Sequence, residues 1–334
     1  MAGRGYVRGV IARAPWDPAA LPDLSGRQYL VTGANAGLGY FASEQLAGAG
    51  AHVILSGRSP NRLAAAHDAL EARVPGASVE TLLMDVSNPG SIRAAAASLR
   101  GGLFSRSRLD GVLLNAGIVH TPRTREITRD GRELVFATNA LGHFVLAAEL
   151  LTTLAKTASR REHTRMVWLG SISTHLGVAE PIDIQSERRY DAWHAYVQSK
   201  LVVHALGIEA DARLRAADVP VDSVVAHPGY SIGGRTPTVH GVNEPGAWKR
   251  LRDRLQPFAQ SKEAGAASLV RALVDPDVRG GEYWGPKLRT RGAPVRQRPS
   301  RWAADPDVRR RVWAECERLT GMEWPFQRAA RAAR

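Results

Sequence analysis

The stretch Thr32-Gly33-Ala34-Asn35-Ala36-Gly37-Leu38-Gly39 decides the fold. It follows a short β-rich run, Gln28 to Thr32, and precedes a longer stretch of helical composition. The glycines permit a tight turn and a close approach of backbone to ligand. The helix start behind them offers unpaired N–H groups and the positive end of a dipole. At a first strand-to-helix junction such a turn is a cradle for a pyrophosphate. Gly33, Asn35, Ala36, Gly37, Leu38 and Gly39 are therefore expected to contact a dinucleotide.

Outward from this turn the pattern repeats. Strands are expected at Gln28 to Thr32, His52 to Ser56, Val79 to Asp85, Leu109 to Leu114, Arg165 to Leu169 and Val221 to Ala226, with a seventh at Glu282 to Trp284 and Ala- and Leu-rich helical stretches between them. Alternation of this kind specifies βαβ units. The expected fold is α/β: a Rossmann-fold, doubly wound parallel seven-stranded sheet with helices on both faces and the ligand site at the carboxyl ends of the strands. The expected organisation is one catalytic domain over 26–285, with a Gly- and Pro-punctuated substrate loop at 229–260. An N-terminal extension covers 1–25, and a basic C-terminal extension, 286–334, carries one helix whose Val308, Val312, Trp313, Cys316 and Leu319 fall at helical spacing before Gly321.

The chain has 334 residues and a formal charge of +13. That charge sits at the ends: 286–334 carries +8 and residues 1–15 carry +3, leaving +2 on the remaining 270. A nucleic-acid partner is therefore not expected. One cysteine, Cys316, can form no intrachain disulfide, which suits a reducing, cytoplasmic setting. Leu134 to Leu154 is the most apolar long stretch, but Asn139, His143 and Glu149 interrupt it, so no membrane span is expected. Arg4, Arg8 and Arg13 are followed by no apolar run, so neither is a secretory signal. The ten histidines form no His-Glu-x-x-His, and no metal site is expected.

A second motif lies far from the first. Tyr196 and Lys200, four residues apart on an expected helix, share one face, where an ammonium lowers the pKa of a phenol. Ser171 ends the strand Val167-Trp-Leu-Gly-Ser171, and Asn139 lies in the helical stretch Thr138-Asn139-Ala-Leu-Gly-His143-Phe144. With Asp85-Val86 after the third strand, Asn115-Ala116-Gly117 after the fourth and Pro228-Gly229 after the sixth, residues 26 to 285 resemble the short-chain dehydrogenases/reductases. Thr128 to Phe144 looks most like the retinol-dehydrogenase-like branch, which includes the WW-domain oxidoreductases and, more distantly, the light-dependent protochlorophyllide reductases. Leu114 and Gly170 stand where the family often has a second Asn and a second Ser, and neither change removes a group needed for chemistry.

The resemblance implies hydride transfer between a nicotinamide and a carbonyl/alcohol pair. Tyr196 would be the general acid or base, and Ser171 would bind the substrate oxygen. Lys200 would lower the Tyr196 pKa and bind the nicotinamide ribose, while Asn139 holds a water on the path to solvent. It also implies that Asp85 and Val86 meet the adenine, Asn115, Ala116 and Gly117 floor the adenosine half, and Pro228 and Gly229 border the nicotinamide. After the second strand no acid precedes Asp68, and Arg58 is placed to pair with a 2′-phosphate, so NADP(H) is expected over NAD(H). The segments 176–193 and 230–260 suggest a bulky apolar substrate. Reduction of an activated C=C bond, or dinucleotide sensing without turnover, are the alternative readings, and a homo-oligomer is possible.

Overall fold

The computed structural model describes residues 16–17, 20–101, 104, 108–159, 162–176 and 183–334. The Arg4, Arg8 and Arg13 segment, Pro181 and Ile182 lie outside the described residues. The chain runs β1 (Gln28–Thr32), α1 (Gly37–Gly48), β2 (His52–Gly57), α2 (Pro60–Arg73), β3 (Ser78–Leu83), α3 (Pro89–Arg100), β4 (Gly111–Leu114), α4 (Leu134–Phe136), a π-helical turn (Ala137–Leu141) and α5 (Gly142–Thr157). There follow β5 (Thr164–Leu169), α6 (Ala192–Ala216), β6 (Val221–Ala226), α7 (Ala247–Arg254), α8 (Lys262–Val274), β7 (Tyr283–Pro286), β8 (Pro294–Gln297), α9 (Arg301–Ala304), α10 (Pro306–Thr320) and α11 (Phe326–Ala332).

The strands form one sheet in the order β3-β2-β1-β4-β5-β6-β7-β8. Chain order reverses between β1 and β4, which opens a crevice at their carboxyl ends. Central strands are buried on both faces, as β1 and β2 show, because helices cover each side. Leu30 and Ile54 point into one apolar layer with α3, α5 and α6, while Val31 and Leu55 point into the other with α1, α2 and α8. Local signals start the helices: Asn88 accepts from Gly90 and Ser91 N–H before Pro89 opens α3, and Asp191 accepts from His194 N–H at α6.

The expected doubly wound α/β architecture is present, with one addition. β1 to β7 are parallel, and β8 adds an antiparallel edge through a hairpin at 287–293. Its residues fall in the expected basic C-terminal extension, where the Arg-rich run around them masks a four-residue strand. Residues 286–334 are also part of the main core: Trp313 packs edge-on to Phe144 at 5.0 Å, and Arg213 lies 4.7 Å over the Trp313 ring. Gly321 ends α10 in the left-handed region, at φ 63°.

The expectation of no span-like segment needs correction. Leu134–Thr157 is a 24-residue helical run with mean hydropathy 1.6, long and apolar enough by length and composition to cross a membrane. Asn139, His143 and Glu149 are too dilute among Leu, Val, Ala and Phe to disqualify it. In the structure 89% of its most apolar window is buried inside the molecule.

Candidate active site

The glycine-rich turn joins β1 to α1 with Gly33 at φ 66° and Gly37 at φ 62°, conformations that L side chains rarely adopt. A Cβ on Gly39 would lie 2.5 Å from both Asn115 Nδ2 and the Gly33 carbonyl, so this position must remain bare for α1 to dock on β4. Ala36 caps α1 with no side-chain bond and no acid occupies the first turn, which leaves the amides and the dipole facing the crevice. Lys262, at the start of α8, sends Nζ to 3.7 Å from where a Gly37 Cβ would sit. Burial and the neighbouring Lys249 lower its pKa. A half-buried ammonium held close to a second cation and to free amides makes a strongly electropositive spot.

Beneath the turn lies a closed polar network. Thr32 Oγ1 accepts from the amides of Asn115 (2.8 Å) and Ala116 (2.9 Å), and Asn115 Nδ2 donates to the Thr32 carbonyl at 2.7 Å. His143 Nδ1 donates to the Asn139 carbonyl (3.1 Å), which leaves Nε2 to accept from the Thr32 hydroxyl, also at 3.1 Å. Burial pushes the His143 pKa down to about 4, so the ring is neutral. Asn139 sits in the π-helical turn. Its Oδ1 accepts from Ile118 N–H (2.7 Å), and its Nδ2 donates to Ser199 Oγ (2.9 Å). A Cβ on Gly117 would lie 2.9 Å from that Oδ1. Asp85 holds Ser87 through N–H (2.9 Å) and Oγ (2.7 Å) bonds, and Val86 receives α5 so closely that a Cβ on Gly142 would sit 1.7 Å from the Val86 carbonyl.

Ser171 follows β5, and Tyr196 and Lys200 lie on α6. Tyr196 Oη donates to Ser171 Oγ at 3.3 Å, while Ser171 Oγ also accepts from Ser173 N–H (3.2 Å) and Ser173 Oγ (2.9 Å). Burial raises the Tyr196 pKa, and the Ser171 bond partly offsets it. Lys200 Nζ donates to the Leu169 carbonyl at the end of β5 (2.8 Å), and burial lowers its pKa to about 7. Asn139 reaches this group through Ser199, whose Oγ donates to the Tyr196 carbonyl at 2.7 Å. Trp193, on the outer side, lies 5.8 Å from the Tyr196 ring.

After β6, the Pro228 carbonyl accepts from Gln260 Nε2 (2.7 Å) and Ser231 Oγ (2.8 Å). Gly229, at φ 64°, packs so tightly on the β7–β8 hairpin that a Cβ would lie 2.3 Å from the Thr290 carbonyl. Arg58, after β2, is exposed and makes no hydrogen bond or ion pair among the described residues. Behind Ser171, His175, His204 and His227 surround Tyr283 with ring centroids 5.7, 4.2 and 5.1 Å away.

Sequence reasoning missed several residues here. Lys262 comes from a distant helix and gives no local signal. Arg62 donates through Nε and Nη2 to the Asn35 amide oxygen at 3.2 Å each, with that amide turned to face it. Ser173 and Ser199 reinforce Ser171 and Asn139. A Ser-x-Ser pair and a Ser beside the lysine were visible in the sequence, but nothing in the spacing distinguished them.

This crevice, with its glycine turn on one wall and its Ser, Tyr and Lys on the other, belongs to an α/β nucleotide-dependent oxidoreductase. The short chain dehydrogenase family model matches residues 27–231, and the chain is a member of that family. It is 31% identical to polyprenol dehydrogenase of Mus musculus, over 92% of this chain and 88% of that one. It is 30% identical to retinol dehydrogenase 13 of Homo sapiens, over 91% and 88% respectively. A crystal structure of an uncharacterized protein from Mycobacterium Paratuberculosis superposes with TM-score 0.72 at 30% identity, covering 93% of this chain and all of that one. The retinol-dehydrogenase-like branch is thereby shown. Polyprenol and retinol are alcohols that dissolve in lipid rather than water. With the Leu134–Thr157 run, which is long and apolar enough by length and composition to cross a membrane, they overturn the expectation of no membrane span.

Proposed function

We propose that this protein is an NADP(H)-dependent oxidoreductase acting on a bulky, apolar carbonyl or its primary or secondary alcohol. The observation that carries the reading is the Tyr196 hydroxyl 3.3 Å from Ser171 Oγ, which brings a phenol and a serine hydroxyl together on the crevice wall, where one substrate oxygen can meet both. The donors at the glycine turn suit a dinucleotide: unpaired helix amides, a bare left-handed Gly37 and the Lys262 ammonium beside it. Arg58 and Arg62 carry the preference for a 2′-phosphate, since no carboxylate stands between the end of β2 and Asp68. When bound, the cofactor supplies or accepts the hydride.

The chain's own residues do the rest. Ser171 donates to the substrate oxygen and steadies negative charge that develops on it. Tyr196 delivers a proton to that oxygen in reduction and removes it in oxidation. Its raised pKa keeps it protonated at neutral pH, which favours reduction there and moves oxidation to alkaline pH. Lys200, one helical turn from Tyr196 on α6, is held by the Leu169 carbonyl at the end of β5. Asn139 positions α6 through Ser199, and its carbonyl retains a lone pair for a water. Asp85, Val86, Asn115, Ala116 and Gly117 form the floor for the adenosine half, and Pro228 and Gly229 form the edge at the nicotinamide. The outer wall, Trp193 with Leu176, is aromatic and apolar and suits a lipophilic chain; the related proteins named for polyprenol and retinol support the same substrate class.

The test is to titrate the protein with NADPH and NADH, then follow absorbance against a panel running from small polar aldehydes to long-chain isoprenoid ones. Turnover should favour NADPH and the large apolar members. Tyr196→Phe should bind NADPH normally and lose about 10²–10⁴ in turnover. Unchanged turnover in that variant, or equal rates across the panel, would refute the reading.

A further inference from the structure

Helix α7 is built inside out. Trp248, Leu251 and Leu255 follow one another at helical spacing and lie on one face, and that face points to solvent. Trp248 and Leu255 each keep 77% of their surface exposed, Leu251 54%, and Phe258, just beyond, 68%. The buried pole of the helix is instead Asp253, only 1% exposed. Its Oδ2 accepts from Gly234 N–H (2.9 Å) and Lys249 Nζ (2.8 Å). The orientation is clamped: Arg235 donates to the carbonyls of Asp253, Arg254 and Ala259 at 2.9–3.1 Å, so α7 cannot roll its apolar face inward without stripping these bonds.

Around the apolar face the charge is positive. Lys249, Arg250, Arg252 and Arg254 lie on α7 itself, where Asp253 is the one acid. The β7–β8 hairpin, at the same end of the sheet, repeats the pattern: Leu288 is 61% exposed between Lys287 and Arg289, with Arg291 close behind. The two segments meet where Gly292 N–H donates to Gln260 Oε1 at 3.0 Å. A cleft of about 610 Å³ there is lined by Arg235, Arg250, Arg254 and Arg291. A soluble surface rarely gathers apolar side chains of this size, and a rim of arginines around them matches one kind of partner: an interface with anionic headgroups outside and acyl chains within.

We infer that α7, Phe258 and the β7–β8 hairpin form a docking surface for an anionic lipid bilayer. Trp248, Leu251, Leu255 and Phe258 enter the acyl boundary, and the arginine cleft takes headgroup phosphates. This goes beyond the oxidoreductase reading and does not rest on it. Because the Pro228 carbonyl is bonded by Gln260, just beyond Phe258, and Gly229 packs against the β7–β8 hairpin, docking places the mouth of the crevice against the bilayer.

The experiment is co-sedimentation of the full chain with vesicles of phosphatidylcholine alone and of phosphatidylcholine mixed equally with phosphatidylglycerol. The protein should pellet with the mixed vesicles, less so in high salt, and weakly with neutral ones. Trp248→Glu combined with Leu255→Glu should lower the apparent partition coefficient by about tenfold or more. Arg254→Glu with Arg291→Glu should abolish the preference for anionic lipid, and both variants should keep the native melting transition. Were the first pair to melt early, Trp248→Ser with Leu255→Ser takes its place. Failure of the native protein to pellet with mixed vesicles overturns the inference. So does undiminished pelleting of the variants, or concentration-dependent self-association that needs Trp248 without any vesicle binding, which would assign the face to a second copy.

Discussion

His143 and His204 are both fully buried imidazoles beside the crevice, yet they are held in different ways. Each nitrogen of His143 has a directed bond, one to the Asn139 carbonyl and one to the Thr32 hydroxyl, so the ring ties β1 to the π-helical turn. His204 has no partner for either nitrogen among the described residues. It lies tilted against Tyr283 with ring centroids 4.2 Å apart, in company with His175 and His227, which stack on the same ring. The cofactor side of the crevice is specified by bonds with direction, whereas behind Ser171 His204 is held by ring contacts alone, although its neighbour His227 is tied to Gln297 and to the Gly229 amide. A directed network fixes atoms to within a few tenths of an ångström, which hydride transfer requires, whereas a stacked wall tolerates substitution.

The sharpest way to break this contrast is His143→Phe. It removes the ring's tie between β1 and the π-helical turn. The Thr32 hydroxyl keeps the Leu113 carbonyl as an acceptor at 3.2 Å, so at about 1–3 kcal/mol for the one group that loses its side-chain partner, the Asn139 carbonyl, the loss should be about 1–3 kcal/mol at pH 7. Chemical denaturation measures it, and a loss below about 1 kcal/mol would show that the network is not directional. The cofactor side offers a finer division. Arg58→Asp should weaken NADPH binding roughly 10–100-fold and leave NADH nearly untouched, because it removes a charge-assisted pair that only the 2′-phosphate can make. Lys262→Met, beside the turn, should weaken both cofactors alike, by about tenfold. Equal effects of Arg58→Asp on the two cofactors, or a selective effect of Lys262→Met, would exchange the roles assigned to these cations.

What was legible in the sequence follows the same division. The glycine turn, Asn115, Ser171 and the Tyr196–Lys200 pair were readable because their chemistry depends on local spacing: a turn, a strand end, one helix face. Lys262 and Arg62 were not, since only the tertiary fold brings α8 and α2 to the turn. β8 was hidden because four residues among arginines carry no period. α7 was the hardest case. Read by composition, Ala247 to Arg254 is a polar loop segment, and only the burial of Asp253 reveals that its apolar residues face outward. Thr128 to Phe144 carried the resemblance to the retinol-dehydrogenase-like branch, yet the role of His143 within it needed the Thr32 contact to be seen.

The smallest expected effect tests the shape-specified wall. Burial lowers the pKa of His204 to about 3 and of His227 to about 4, as it does for His143. A histidine of ordinary pKa about 6.5 in the unfolded chain takes up its proton first as the pH falls. The unfolded state therefore binds more protons from about pH 6.5 down to about 4, or about 3 for His204, and stability present at pH 7 is lost through that window. For each ring the loss between pH 7 and pH 5 comes to about 2 kcal/mol. His204→Phe removes one such contribution without breaking a hydrogen bond. It should change stability little at pH 7 and narrow the difference in melting temperature between pH 7 and pH 5. His143→Phe should narrow that difference equally while melting lower throughout. If His204→Phe also melts several degrees lower at pH 7, with the acid slope unchanged, then its nitrogens are engaged after all, and the contrast between the two walls of the crevice fails.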